Sequence, residues 1–278
     1  MLKLSSADSA HVLQKRGILS ATARWLRWHL PKRISAHRIL SGSLRGRKIY
    51  TSWRDYPAAI AGITEPELLN WFAQQVRPGE TWLDIGAHYG YTTIALADLV
   101  GPTGRIFAFE PMVATVGCLA RTRFINKLDW VSVVPMALGA EPTLLMEELT
   151  TIRGMVDNTL QTSHKTTHGN QWKERILVAQ LDWLWPLIAS GNTAIHGIKI
   201  DVQGMELHVL RGMQKLLQVA RPKLVVELHR GVDRAAVLGI LTGLGYSRQA
   251  TPIEPVPGEV TPQFLDDRSY AFLPATAV

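Results

Sequence analysis

Thr-Trp-Leu-Asp-Ile-Gly-Ala-His-Tyr-Gly-Tyr-Thr-Thr-Ile-Ala-Leu-Ala, residues 81–97, reads as an apolar strand, a tight glycine-bearing turn and the start of a helix. Trp82, Leu83 and Ile85 suit a central parallel strand buried on both faces. Gly86 permits close backbone approach, and Tyr91 to Leu99 has the apolar spacing of a helix. Backbone N–H groups at such a helix start can face a bound ligand. A second apolar strand, Arg105 to Phe109, runs into Glu110. That carboxylate follows Gly90 by roughly 20 residues, the interval at which an acid grips a ribose diol.

Two cofactors use this arrangement, a dinucleotide and S-adenosylmethionine, and the glycine spacing separates them. Asp84, Gly86 and Gly90 form Asp-x-Gly-x-x-x-Gly. A dinucleotide turn is G-x-G-x-x-G, whose second glycine admits the pyrophosphate, and His88 stands in that place. S-adenosylmethionine has no phosphate, so the turn need pass only its methionine moiety, with Asp84 at the strand end expected to face the ammonium.

The chain has 278 residues, 46% hydrophobic and 19% charged, enough for one large α/β domain with an appendage. No apolar run approaches the roughly 20 residues of a membrane span. The single cysteine, Cys118, excludes an internal disulfide and is expected to pack in a helix. No zinc-type cysteine spacing exists, and no metal is expected. Residues 1–54 carry 12 Lys/Arg against the one acid Asp8, a net of +11, whereas residues 55–278 carry 18 against 22, a net of −4. The basicity therefore belongs to residues 1–55, expected to be a helical extension of a domain spanning 56–278. This distribution argues against a nucleic-acid footprint over the whole domain.

Within the extension, Ile18, Ala21, Trp25 and Trp28 fall at helical spacing among Arg24, Arg27, Lys32 and Arg33. Such a helix either packs on its own domain or a partner subunit, or makes peripheral contact with an anionic membrane through residues 17–38. The expected location is cytoplasmic, with the inner face of the membrane as the peripheral variant. Residues 41–55 read as a linker or first hairpin. Thr64-Glu65-Pro66-Glu67 reads as a helix start capped by Thr64, with Pro66 near the first helical position. Beyond Glu110, Pro111 opens a helix to about Asn126, Trp130 to Val134 is a third strand, and Met136 to Gly139 follows. Residues 150–174 read as a long irregular loop in which His164 and His168 are solvated.

A second informative stretch is Gly-Ile-Lys-Ile-Asp-Val-Gln-Gly-Met-Glu-Leu-His-Val-Leu-Arg-Gly, residues 197–212. Lys199 and Asp201 project from the same face of a strand and its end. A lysine inside a parallel sheet needs a partner, and Glu227 on the next strand is the expected one, either as a core ion pair or as part of a site. Asp201 and His229 each end a strand, where ligands collect in open α/β sheets. Tyr246 to Ala250 and Arg268 to Leu273, joined by a proline-rich loop, suit an antiparallel edge hairpin.

These pieces together resemble the FkbM family of S-adenosylmethionine-dependent methyltransferases over roughly residues 60–273. The carriers are Asp84 to Tyr91, Phe109-Glu110-Pro111, Ala137-Leu138-Gly139, Leu181 to Leu184, Lys199 to Gly212, and Glu227 to His229. The resemblance implies a Rossmann-like class I methyltransferase fold, a seven-stranded sheet with six parallel strands and one antiparallel. It also implies methylation of a hydroxyl on a small molecule such as a polyketide-like product, a sugar or a glycolipid. Two positions depart from the family pattern: His88 replaces an Asn, and Gln203 replaces the Glu of Asp-Val-Glu-Gly. If that Glu is a base or metal ligand in the family, activity here rests on Asp201, Glu206 or His229, or is altered.

On this basis the candidate cofactor residues are Asp84, Gly86, Ala87, His88 and Gly90 of the first turn, with Glu110, Pro111, Ala137 and Asp201. The candidate catalytic residues are His229 or Asp201 as base, supported by Lys199, Glu206 and Glu227. Three rival readings stand: a nucleic-acid methyltransferase that uses the basic arm, a membrane-associated binding protein that keeps the fold without catalysis, and a nicotinamide oxidoreductase. Against the first, the fourth strand ends in Asp-Val-Gln-Gly, without the Asn/Asp-Pro-Pro-aromatic turn found in enzymes that methylate base amines.

Overall fold

The structure is a computed structural model that describes residues 29–150, 171–189, 194–257 and 259–275. The N-terminal helix expected from residue 17, most of the segment 17–38 expected to contact a membrane, and the His164 and His168 pair lie outside the described residues. In chain order the elements are β1 (Ser35–Arg38), β2 (Lys48–Thr51), α1 (Pro57–Ala61), α2 (Pro66–Gln75), β3 (Thr81–Ile85), α3 (Tyr91–Val100), β4 (Arg105–Phe109), α4 (Val113–Ile125), β5 (Val131–Val134) and β6 (Ala137–Leu138). There follow β7 (Thr143–Thr150), β8 (Gln171–Ala179), α5 (Leu181–Ile188), β9 (Gly197–Ile200), α6 (Glu206–Arg211), α7 (Gln214–Ala220), β10 (Lys223–Leu228), α8 (Arg234–Gly243), β11 (Thr251–Pro252) and β12 (Arg268–Phe272).

Seven strands form the central sheet in the order β11-β12-β10-β9-β3-β4-β5. Strands β10, β9, β3, β4 and β5 pair in parallel; β12 pairs antiparallel with both β10 and β11, so β12 alone runs against the other six. This is the Rossmann-like α/β arrangement expected from the sequence. The strand order reverses between β3 and β9, where a crevice opens at the carboxyl ends of the strands.

Strand β3 is buried at every position because the sheet is covered on both faces. Trp82 packs with Ile94, Leu96, Ile106 and Phe72 on one face, and Leu83 and Ile85 pack with Phe107, Ile198 and Ile200 on the other. Cys118 joins the first of these clusters as a buried free thiol, as its helical setting predicts.

Several local expectations change. Of the linker and the first hairpin expected over 41–55 the structure has the hairpin, begun earlier, over residues 35–51, and Ile39 and Ile49 lie wholly buried in the main core. Lys48 and Tyr50 of the hairpin donate backbone N–H groups to Asn126 Oδ1 and Thr122 Oγ1 of α4 at 2.9 and 3.0 Å. The cap of α2 is Glu65 in a left-handed conformation, φ 51°, and Thr64 makes no cap. The stretch read as a loop from 150 to 174 is bounded by two paired strands, and β6, β8 and β7 build a second, three-stranded sheet. The edge strand expected at 246–250 reduces to a bridge between Tyr246 and Pro274, with β11 further along.

Among the described residues no helix is long and apolar enough to cross a membrane.

Gly86 has φ 81°, and a Cβ placed on it would lie 1.7 Å from the Asp201 carbonyl oxygen. The turn after β3 therefore touches the chain leaving β9, backbone to backbone. Gly86→Ala adds left-handed strain to a clash that only backbone movement can relieve, and should cost about 3 kcal/mol or more, read as a drop in the urea midpoint.

Candidate active site

At the carboxyl ends of β3, β4 and β9 lies a cavity of about 320 Å³. Its walls include Gly86, Ala87 and His88 of the first turn, Glu110, Pro111 and Met112 beyond β4, Met136 to Leu138, and Lys199, Asp201, Gln203 and Glu227. Ile176 and Val178 of β8 close the apolar side near Ala137, so the second sheet contributes a wall no sequence signal marked.

The expected cofactor residues divide. Gly86, Ala87, His88, Glu110, Pro111, Ala137 and Asp201 all face the cavity, whereas Asp84 and Gly90 do not. Asp84 is fully buried: its Oδ2 accepts hydrogen bonds from the Thr92 and Thr93 hydroxyls at 2.9 and 2.6 Å, and its Oδ1 lies 3.5 Å from Lys199 Nζ. It anchors the start of α3 and the sheet lysine, and does not reach a ligand's ammonium. Gly90, at φ 91°, serves packing, since a Cβ there would meet Leu119 Cδ1 of α4 at 2.7 Å.

The backbone N–H groups of the turn are also committed within the fold. Gly86 and Ala87 both donate to Phe109 O at 3.0 and 2.9 Å, and Gly90 donates to Ala87 O at 2.8 Å. Glu110 is held rigidly, since His88 N–H donates to Oε2 at 3.0 Å and Met112 N–H to Oε1 at 3.1 Å. Burial pushes its pKa up to about 7 against those two bonds, and its remaining lone pairs are available to a diol.

Lys199 pairs with Asp84 and Asp201, not with Glu227. Its ammonium lies 3.2 Å from Asp201 Oδ2, 3.5 Å from Asp84 Oδ1 and 3.3 Å from Gly86 O. Strand register is the reason: Asp84 and Lys199 are direct partners across β3 and β9, while the residue opposite Lys199 on β10 is Val225. Glu227 lies two residues further along, level with Asp201.

There a polar cluster forms. His229 Nδ1 donates to Glu206 Oε1 at 2.6 Å, and Gly204 N–H donates to the same oxygen at 3.0 Å. The other ring nitrogen, Nε2, sits 2.8 Å from Gln203 Nε2, 3.4 Å from Glu227 Oε1 and 3.6 Å from Asp201 Oδ1. His229 and Glu206 lie behind this front, outside the cavity wall. Gln203 can serve either form of the ring: its NH2 donates to neutral imidazole, and after an amide flip its carbonyl accepts from imidazolium.

Burial alone would lower the His229 pKa, but the Glu206 hydrogen bond and the charges of Asp201, Glu206 and Glu227 outweigh it and raise it to about 9. Burial, and then the negative charge of Asp201, push Glu227 up to about 8. Burial would raise Asp201 as well, yet Lys199 and His229 hold it below its ordinary value. The cluster thus sets an ionised Asp201 beside a carboxyl poised near neutrality, the separation that marks acid and base roles. Asp201, Glu227 and His229 also offer one ligand atom each within 4.8 Å of one another, a set that could hold a metal ion although none was expected.

The family model described as the methyltransferase FkbM domain matches residues 84–248. Over 80 residues the chain is 36% identical to a fibrillarin-like rRNA/tRNA 2'-O-methyltransferase of Staphylothermus marinus, a match covering 28% of this chain and 32% of that relative's length. A methyltransferase FkbM of Methylobacillus flagellatus superposes at a TM-score of 0.46 with 18% identity, covering 73% of this chain and 50% of that one. The O-methyltransferase TomG of Streptomyces achromogenes superposes at 0.43 with 18% identity, covering 76% and 79%.

Replacing Glu206 by Gln removes the charge that holds the imidazolium. The His229 pKa should fall from about 9 toward its ordinary value near 6.5, read by following the ring proton and nitrogen shifts in an NMR titration.

Proposed function

Since this chain belongs to the FkbM methyltransferase family, we propose that it transfers a methyl group from S-adenosylmethionine to a hydroxyl of a small molecule, sugar or glycolipid. The observation that carries the hydroxyl reading is the cluster at the cavity, where Glu227 is poised near pH 8 beside ionised Asp201. A hydroxyl must lose its proton as it attacks, and a carboxylate of raised pKa takes that proton better than an ordinary one.

The residues present fit the cofactor. Glu110 offers its carboxylate to the ribose diol, and Met136, Ala137, Leu138, Ile176 and Val178 offer an apolar slot for the adenine. Carboxylates lining the cavity outnumber its lysine, which suits a cationic sulfonium. When bound, S-adenosylmethionine supplies an electrophilic methyl group. The chain's own work is then alignment and proton removal. In this reading Asp201 orients the acceptor oxygen, Glu227 accepts its proton, and Lys199 keeps Asp201 ionised. His229, held by Glu206, stabilises the negative charge of both carboxylates and is not the base, because at neutral pH it already carries its proton. The basic charge of residues 1–54 suits an acceptor at an anionic surface, as a glycolipid would be.

A second reading is 2'-hydroxyl methylation of RNA, favoured by the 36% identical stretch shared with the fibrillarin-like enzyme. Incubation with methyl-labelled S-adenosylmethionine and, separately, glycolipid, sugar, small-molecule alcohol and RNA fractions separates the two. Label in an RNA ribose and in no other fraction would replace the first reading. Abolition of transfer by EDTA with recovery on Mg²⁺ would assign Asp201, Glu227 and His229 to a metal and withdraw the base role from Glu227.

Because the base must be unprotonated and its pKa is raised, kcat/KM should climb as pH rises through about 8, where an ordinary carboxylate would give a flat profile. Glu227→Gln should remove that limb and lower kcat by roughly a hundredfold or more.

A further inference from the structure

Glu65 was read from the sequence only as part of a helix start, and its setting calls for another explanation. It is a non-glycine residue at φ 51°, ψ 41°, a conformation that costs about 1–2 kcal/mol and persists only where its surroundings demand it. The strain turns its side chain into the cavity wall, next to Tyr56, Tyr91 and Lys199. Among the described residues its Oε2 is buried and meets no hydrogen-bond donor. A buried carboxylate oxygen without a donor is costly, and this one belongs to a residue that lines the cavity, where a bound group could donate to it.

Lys199 does not fill the role. Its ammonium donates to Asp201 Oδ2 and Gly86 O and lies in ion-pair range of Asp84 Oδ1 at 3.5 Å, while Glu65 Oε2 receives no bond from it. The pocket around Glu65 is nevertheless built for a cation. Tyr56 stacks edge-on to His88 at 5.4 Å and lies 6.3 Å from Tyr91, centroid to centroid, so aromatic rings line the cavity beside the carboxylate. Rings and a carboxylate together recognise an ammonium group. Burial first, with Asp201, Asp84 and Glu254 adding to it and Lys199 opposing, pushes Glu65 up to about 7, and a cation bound beside it would draw it back down. Glu110 occupies the ribose end of the same cavity, and the two acids serve different parts of one ligand.

We propose that Glu65 is the residue that binds the α-ammonium of the methionine moiety of S-adenosylmethionine, in place of the sheet residue Asp84. The assignment rests on the cofactor reading above. It makes α2 and the Tyr56 segment part of the cofactor site, although both lie N-terminal to the stretch that the family model matches.

Calorimetric titration of the full chain with S-adenosylhomocysteine and with 5'-methylthioadenosine tests it. The second compound keeps the adenine, ribose and sulfur and lacks the amino acid. Wild-type protein should bind the first more tightly. Glu65→Gln should weaken S-adenosylhomocysteine by roughly tenfold to a hundredfold and leave 5'-methylthioadenosine unchanged, which also shows that the variant is folded. Glu65→Gly should lose the same preference while melting at or above the wild-type temperature, because glycine relieves the left-handed strain. An unchanged ratio of the two affinities in Glu65→Gln, or equal loss of both, would overturn the assignment. Binding of neither compound by wild-type protein would instead overturn the cofactor reading, and this assignment with it.

Discussion

The ammonium of Lys199, 5% exposed inside a parallel sheet, is the charge around which the site is assembled. An isolated cation there would cost several kcal/mol, so its acceptors must stay in place for the fold to hold. Those acceptors come from three segments: Asp84 on β3, Asp201 beyond β9, and the Gly86 carbonyl in the turn between β3 and α3. Asp84 extends the tie to α3 through Thr92 and Thr93. One buried charge thereby links the turn after β3, the helix after it, and the aspartate beyond β9 at the same cavity.

The rest of the cavity is an arrangement of excess negative charge. Glu65, Glu110 and Glu227 are all raised toward neutrality, chiefly by burial, while Asp201 is held ionised by Lys199 and His229. Gln203 fits this balance. A carboxylate at that position would set a further negative charge beside Asp201 and Glu227. The amide instead sits between His229 and Asp201 without charge, its nitrogen 2.8 Å from His229 Nε2 and 3.4 Å from Asp201 Oδ1.

The parts that were legible in the sequence are those with strong periodicity. Strand β3, α3, β4 and the position of Glu110 follow from apolar patterning and one interval, and the sheet of six parallel strands and one antiparallel follows from the family resemblance. The partner of Lys199 was not legible, because it depends on register with two neighbouring strands: Asp84 stands opposite it on β3, whereas on β10 Val225 does and Glu227 falls two residues beyond. Glu65 was hidden for a different reason. Before a proline an acid reads as an ordinary helix start, and its left-handed backbone is imposed by tertiary packing. Strands β7 and β8 escaped notice because Thr143–Thr150 and Gln171–Ala179 mix charged and apolar residues, and β11, at two residues, is too short to carry a pattern.

The contact at Gly86 bears on how the molecule can change. With no room for even a methyl group between this residue and the Asp201 carbonyl, the turn after β3 and the root of the polar cluster behave as one solid piece. Thermal fluctuation cannot widen the gap between them without parting two strands. A change in the shape of the cavity, in nature or in the laboratory, would therefore have to come from remodelling the apolar wall on β8 and the segment leading into α2. The spacing across the Gly86 contact is a fixed dimension, and the rest of the cavity is free to drift around it.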